Sequence, residues 1–408
     1  MTNEVKKVPE LRFPEFDGEW EGIYLNKLGM FKKNYTFSRA NEGDGTLRHI
    51  HYGDIHSKFK SKIEKIELLP SISIDLEDPQ LVQNNDLIFA DASEDYNDLG
   101  KTILMKVNNG NVIAGLHTHL FSPNNNLNSE FLLYFTQTKV YRKFIKRQGV
   151  GISVLGISKK NLDKLLVSLP KYNEQKKIGE FFSKLDRQIE LEEQKLEKLE
   201  EQKKGYMQKI FSQELRFKDA NGNDYPDWKK EKLDNILEFE SERTKVENEY
   251  PVLTSSRNGL ILQSEYYKEG KTFADSNIGY FIIPKGYITY RSRSDDGKFQ
   301  FNLNNIIDVG IVSKYYPVFR GINMNQSFLT MLMNHQLKKE YIKFATGTSQ
   351  LVLSQRNLRE ISTELPITEE QEKIGNFFDK QNSLIEKQSN KVELLKERKK
   401  GFLQKMFI

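Results

Sequence analysis

Apolar residues recur at alternating spacings of four and three through two long stretches of this chain. In the first, Ile178, Phe182, Leu185, Ile189, Leu196, Leu199, Tyr206 and Ile210 hold that register, with Glu192 and Lys203 in its polar slots. In the second, Ile374, Phe378, Ile385, Val392, Leu395, Phe402 and Met406 hold it, with Gln381, Gln388 and Lys399 as the polar slots. This spacing is the seam of a coiled coil. Each stretch is therefore predicted to be a helix of roughly 40 residues, about 60 Å long at 1.5 Å per residue. Pro170 and Pro366 sit just before the helices, and Glu174 and Glu370 fall near their positive N-terminal ends. A helix with one apolar stripe needs a partner, either its own globular body or the other tail. The matched registers favour the tails packing on each other, although apolar positions off the seam, such as Phe181 and Phe377, are candidates for partner helices.

The two tails belong to a larger duplication. GISVLGISKKNLDKLLVSLPKYNEQKKIGEFF (151–182) is matched by GTSQLVLSQRNLREISTELPITEEQEKIGNFF (347–378), at a constant offset of 196 residues (151 to 347, 182 to 378). The offset persists where EEQKKGYMQKIF (200–211) faces KERKKGFLQKMF (396–407), and ELRFPEFDGEW (10–20) echoes ELRFKDANGNDYPDW (214–228). A period near 200 residues is too long for a solenoid and marks two copies of a whole module. Each module has a variable body (about 20–168 and 228–364) and a shared tail (about 170–213 and 366–408). The bodies show little mutual resemblance, so the scaffold repeats while the payload differs. The resulting organisation is 1–168, a first body; 169–213, a helical spacer; 214–365, a second body; and 366–408, a second spacer.

The bodies read as mixed α/β. Runs rich in β-branched and aromatic residues, LVQNNDLIFADAS (81–93), KTILMKV (101–107), NIGYFIIPKGYITYRS (277–292) and GIVSKYYPVFR (310–320), are bounded by Gly, Asn and Pro as strands are. Each body closes with an amphipathic segment predicted as one helix, 128–147 and 325–345.

Composition narrows the class. The 408 residues are 37% hydrophobic and 29% charged, enough for packed, soluble domains. There is no cysteine, which removes disulfides, thiolate metal sites and cysteine nucleophiles and fits a cytoplasmic location. The opening MTNEVKKVPELRF has no leader-like apolar run, and no stretch approaches the roughly 18 apolar residues of a membrane span. Net charge is +5, but it is segregated: Lys101 to Val150 carries seven Lys/Arg against one acidic residue, and His51 to Gly100 four against eleven.

Catalytic patterns are lacking. LGKT (99–102) has Asp95 where a phosphate-binding loop needs glycine, so a strand-leading turn accounts for it. No two of the 11 prolines are adjacent, which excludes the Asn/Asp-Pro-Pro-aromatic loop of amino-methyltransferases, and no glycine-rich nucleotide turn is present. His49, His51 and His56 cluster around Asp54, but His49 and His51 alternate as on one strand face, His117 and His119 repeat that alternation, and structural roles outweigh a metal site.

Other features suit nucleic acid. Both closing segments end in basic residues, with Lys143 and Arg147 in the first and Lys343 in the second. Small polar loops follow, Gly149–Ser153 and Thr346–Ser349, suited to phosphate contacts. In the second body, LTSSRNGL (253–260) and YRSRSDDGK (290–298) offer Ser255, Arg257, Asn258, Arg291 and Arg293 for base edges; the first body's counterparts are Arg48, His51, Lys58 and Lys60.

Two dissimilar bodies with two similar helical tails resemble the specificity subunit of type I restriction–modification systems. The residues that carry the resemblance are LPKYNEQKKIGEFFSKLDRQIE (169–190) and LPITEEQEKIGNFFDKQNSLIE (365–386), the GxS loops, and KKGYMQKIF and KKGFLQKMF. The resemblance implies two α/β DNA-recognition domains separated by two long antiparallel coiled-coil helices in a pseudo-twofold repeat. Each domain would read one half of a split target in double-stranded DNA, and the helices would fix the gap. It also implies two methyltransferase subunits and two motor-nuclease restriction subunits as partners. These would carry S-adenosylmethionine, ATP and Mg2+, with no cofactor in this chain and no membrane. The competing readings are a self-contained methyltransferase or nuclease, and a coiled-coil adaptor that does not bind DNA.

Overall fold

Six helices position the site in the computed structural model, which describes residues 7–108, 110–266 and 276–408. They are α1 (Ser129–Phe135), α2 (Lys139–Gln148), α3 (Tyr172–Phe211), α4 (Gln326–His335), α5 (Lys338–Phe344) and α6 (Thr368–Lys405). The first six residues of the segment considered as a leader lie outside the described residues. The chain divides into one unit of Met1–Glu193 with Asn390–Ile408 and another of Gln194–Ser389. Each unit therefore groups a body with parts of both tails.

In the first unit, strand Glu21–Tyr24 pairs antiparallel with Leu166–Leu169. A five-stranded sheet runs in the order Gly29–Phe31, Thr118–Pro123, Leu87–Ala90, Thr102–Met105, Lys62–Ile63, and a three-stranded sheet in the order Ser71–Ile72, Glu42–Ile50, Val112–Ala114. In the second unit, Lys229–Lys232 pairs antiparallel with Ser362–Leu365. Its four-stranded sheet runs Leu237–Phe239, Val318–Gly321, Ile288–Tyr290, Phe301–Leu303. That order repeats the first four strands of the first body's five-stranded sheet, with no counterpart of Lys62–Ile63 in it among the described residues. The bodies whose sequences look unrelated thus share a sheet, because a strand requires only alternation and burial, not particular residues.

The closing segments are each two helices rather than one. After α1, the hydroxyls of Thr136 and Thr138 donate to the carbonyls of Leu133 and Phe135 at 2.7 Å, and Thr138 then caps α2 by accepting from the Tyr141 N–H at 3.3 Å. Local side-chain bonds of this kind compete with the helix ladder. In the second body the break falls at Leu337, whose N–H reaches back to the Leu332 carbonyl at 3.4 Å before α5 begins.

The tails pack on each other and on the bodies at once. In the first unit the start of α3 runs antiparallel to the end of α6: Phe181 meets Phe402 edge-on at 5.2 Å, and Lys399 pairs with Asp186 at 2.6 Å. Ile178 and Phe182 of α3, with Leu403, Met406 and Phe407 at the end of α6, also join the core of the body around Trp20 and Phe131. In the second unit Tyr206 meets Phe377 edge-on at 5.2 Å, and Ile210, Ile374 and Phe378 join the core around Trp228 and Phe328. Ile189 is buried, while Leu185 and Ile385 are half-buried. Phe181 and Phe377, candidates for partner helices, are half-buried here. Each is held by rings of its own unit, Phe13 and Phe402 for the first, Tyr206 and Phe217 for the second.

Candidate nucleic-acid interface

The repeated motifs build one frame in each unit. The Arg12 guanidinium grips Glu174 through two hydrogen bonds of 2.7 Å, and Arg216 grips Glu370 at 3.2 and 2.7 Å. Both carboxylates are buried at the first turn of a tail, where a negative charge suits the helix dipole. The adjoining glutamine ties the tail to the body. Gln175 donates to the Pro170 carbonyl at 2.9 Å and accepts from the Asn128 N–H at 2.9 Å; Gln371 donates to Pro366 at 2.9 Å and accepts from Asn325 at 3.4 Å. Gly179 and Gly375 let the helices approach. A Cβ would stand 2.8 Å from the Glu130 Cβ in the first unit and 2.3 Å from the Asn325 Oδ1 in the second. This accounts for the repeated Leu-Pro…Glu-Gln-x-x-Ile-Gly.

The frame continues into a short hairpin. Strand Leu155–Gly156 pairs with Ala92–Ser93, and Leu351–Val352 with Arg293–Ser294. The turns contain Gly151 at φ +130° and Gly347 at φ +108°, where a Cβ would lie 2.1 and 2.3 Å from the carbonyl oxygen three residues on. Glycine is required there. Behind each hairpin, Ser158 and Ser354 cap a short helix, and Asn161 and Asn357 donate to the carbonyls of Gln148 and Phe344 at 3.1 and 2.7 Å. Closing helix and hairpin are thereby locked together.

Chemistry diverges on the strand opposite the hairpin. In the second body Arg293 faces Val352 in register, and Ser294 faces Leu351. In the first, Ala92 faces Gly156 and Ser93 faces Leu155. Arg293 thus occupies the place of Ala92, and Ser292 that of Asp91, whose carbonyls accept from Leu353 and Ile157 at 2.9 Å. Asp91 accepts from the His117 ring at 3.1 Å, and His117 stands at φ +55°, a strained conformation for a non-glycine residue. His119 contacts the Ile157 carbonyl at 2.9 Å. Burial is the leading cause that lowers the pKa values of His51, His56 and His119, so these rings are neutral near pH 7. Among the described residues no three His, Asp or Glu side chains are grouped to hold a metal ion.

In the second body Ser255, Arg257, Asn258, Arg291 and Arg293 converge on one cleft of about 310 Å³, with Asp295 and Lys298 at its wall. Their conditions differ. Arg257 is paired to Asp296 at 2.7 Å. The Arg291 Nε donates to the Ser255 carbonyl at 2.6 Å, and Ser255 itself is buried, a support rather than a contact. Arg293 lies over the Tyr315 ring at 5.2 Å.

The chain matches the type I restriction modification DNA specificity domain over residues 18–201 and again over 225–394. It belongs to the type I restriction–modification DNA specificity family. Among curated relatives, the type I restriction enzyme MjaVIII specificity subunit of Methanocaldococcus jannaschii is 26% identical over 295 residues, 66% of this chain and 68% of the relative. The putative MjaX specificity subunit of the same organism is 24% identical over 340 residues, 77% of this chain and 76% of the relative. The fold is similar to the S subunit of a type I restriction–modification system from M. genitalium, with a TM-score of 0.59 at 15% identity over 98% of this chain and 99% of that one. It is also similar to a chain from the structure describing complex assembly and conformational transition of the type I R-M system, with a TM-score of 0.52 at 15% identity over 94% and 96% of the two chains.

The remaining candidate contacts of this specificity-family chain are scattered. Lys143, midway along α2, and Arg147, in its last turn, are exposed and make no ion pair among the described residues, with Ser153 exposed in the adjoining turn. Ser349 is exposed in the equivalent turn, but Lys343 is paired to Glu340 at 2.7 Å. Four first-body candidates lie outside this arrangement. Arg48 donates to the Leu69 carbonyl, and His51 is buried, capping the helix Tyr52–Ser57 by accepting from the Gly53 N–H at 3.1 Å. Lys58 and Lys60 line a separate cleft along α3, where Lys60 pairs with Glu193. Internal bonding, invisible in a list of cations, thus engages Arg48 and His51 within their own body.

Proposed function

We propose that this chain is the target-reading subunit of a type I restriction–modification complex, in which each body reads one half of a split sequence in double-stranded DNA. The tails set the gap between half-sites and dock two methyltransferase subunits, to which two motor-nuclease subunits are added. Catalysis belongs to those partners, with S-adenosylmethionine, ATP and Mg2+ as their cofactors, and the complex acts in the cytoplasm. One observation carries this reading: two family-matched segments repeat the same frame while presenting different side chains at the same place on it. A fixed frame suits phosphate contacts that set register, and a variable strand suits base contacts that specify. No helix among the described residues is long and apolar enough to cross a membrane.

The test is whole-genome methylation sequencing in a restriction-free host expressing the chain with its methyltransferase partner, beside the partner alone. A two-part adenine-methylated motif that requires this chain is the expected outcome. A soluble complex that neither methylates such a motif nor binds DNA at low salt would refute the reading.

A further inference from the structure

In the second body, Arg291 and Arg293 are the arginines that the sequence YRSRS sends from the end of a central strand toward the hairpin. Their neighbours leave them in different states. Arg291 is held by its Nε on the Ser255 carbonyl at 2.6 Å, and nearby Arg257 is neutralised by Asp296 at 2.7 Å. Arg293 is exposed, and among the described residues no carboxylate pairs with it. The acidic side chains that follow it in sequence are otherwise committed: Asp295 accepts from the Gln350 amide at 2.8 Å, and Asp296 from Arg257 and the Ser294 hydroxyl.

The guanidinium of Arg293 is nevertheless positioned. It lies over the Tyr315 ring at 5.2 Å, and the Tyr315 carbonyl is fixed by the Ser292 hydroxyl at 2.9 Å. The Arg293 backbone is locked into the hairpin opposite Val352. An arginine stacked on an aromatic face keeps its planar fork of donors free and loses little freedom on binding. Two parallel N–H donors match the O6 and N7 acceptors of guanine in the major groove, a pattern no other base pair offers there. At the register-equivalent place the first body carries Ala92, which has no donor at all.

We propose that Arg293 is the specificity-determining residue of the second body and reads the guanine of one G·C pair. The assignment rests on the DNA-reading function proposed above and names the base class for one position. Losing a bidentate contact to guanine removes about 10- to 100-fold discrimination at that position.

The experiment is methylome sequencing of the complete complex carrying the wild-type chain, Arg293→Ala or Arg293→Lys. Lysine keeps the charge but not the fork, so both variants are expected to relax the motif at a single G·C position in one half-site, with the other half-site unchanged. Arg293 is exposed, so both variants are expected to fold, and unchanged methylation of the other half-site verifies it. A motif unaltered at every position in both variants overturns the assignment. So does a uniform loss of affinity with the salt slope reduced by about 1, which would make Arg293 a phosphate contact. A wild-type complex that methylates no two-part motif overturns the function itself and this assignment with it.

Discussion

Replacing Arg216 by methionine tests whether the paired arginine–glutamate clamps hold the frame. Glu370 is fully buried and its side chain is 1% exposed, against 19% for Arg216. Removing one partner of a buried pair costs about 3–5 kcal/mol, because the other charge is left uncompensated. The first-turn position of Glu370 in α6 returns about 0.5–1 kcal/mol through the helix dipole. Arg216→Met is therefore expected to cost the second unit about 2–4 kcal/mol. Glu370→Met should cost less, because the stranded arginine is nearer to solvent and keeps the Pro226 carbonyl at 2.7 Å and Asp227 at 3.6 Å. The double variant, with an apolar pair in place of the ionic one, should lie within about 1 kcal/mol of the parent.

The chain supplies its own reporters, since its two tryptophans lie in separate cores, Trp20 in the first unit and Trp228 in the second. In a Trp20→Phe background, urea unfolding followed by Trp228 emission isolates the second unit. With a urea slope near 2 kcal/mol per molar, Arg216→Met lowers the midpoint by about 1–2 M. A loss below about 0.5 kcal/mol, or single effects that simply add in the double variant, would refute the clamp.

Further outcomes follow from other particular residues. Gly375→Ala should destabilise the second unit by about 1–3 kcal/mol, since its Cβ would stand 2.3 Å from the Asn325 Oδ1. Gly401→Ala, in the same helix with nothing within 4 Å, should stabilise by about 0.5–1 kcal/mol; urea midpoints that rank the pair otherwise refute the close-approach argument. Burial lowers the pKa values of His51, His56 and His119 below their ordinary 6.5, so the unfolded chain binds protons that the first unit excludes. Stability of that unit is therefore unaffected above about pH 6.5 and falls as the pH drops below it, and a Trp20-reported midpoint that stays level from pH 7.5 to 5.5 would contradict this. Lys143→Glu with Arg147→Glu should weaken DNA binding of the complex and reduce its salt slope by about 2 without altering the methylated motif; a changed motif would make them base readers.

The tails were legible because a coiled-coil seam is periodic; its N-terminal positions Ile178, Phe182, Ile374 and Phe378 are buried, while Leu185 and Ile385 are half-buried and Tyr206 is exposed. Two alternatives posed for that stripe turned out to be compatible, because a helix end can give one edge to another helix and the other to a body. Phe407 does so for the first unit, with its ring 5.9 Å from Phe182 of α3 and 5.2 Å from Phe131 of the body. The helix breaks at Thr138 and Leu337 escaped notice because both segments keep their amphipathic pattern across the interruption. The common sheet of the two bodies escaped because strand order leaves no residue-level trace. Cations were visible and their partners were not: Arg48, Lys60, Arg257 and Lys343 all read as free donors, yet each has an internal acceptor.

That distinction separates what is constrained here from what is free to change. Arg12, Glu174, Gln175, Gly179, Gly151 and Asn161 recur in the second copy because each answers a buried charge, an orphan backbone group or a close approach. None of those demands involves the identity of the side chain at position 92 or 293. The frame needs a residue there that pairs backbone to backbone, and the surroundings then differ, Ala92 being buried and Arg293 exposed. The stabilising contacts of the frame thus leave this short strand free to differ between the two bodies. In this chain the two copies already differ there, with Ala92 in one and Arg293 in the other.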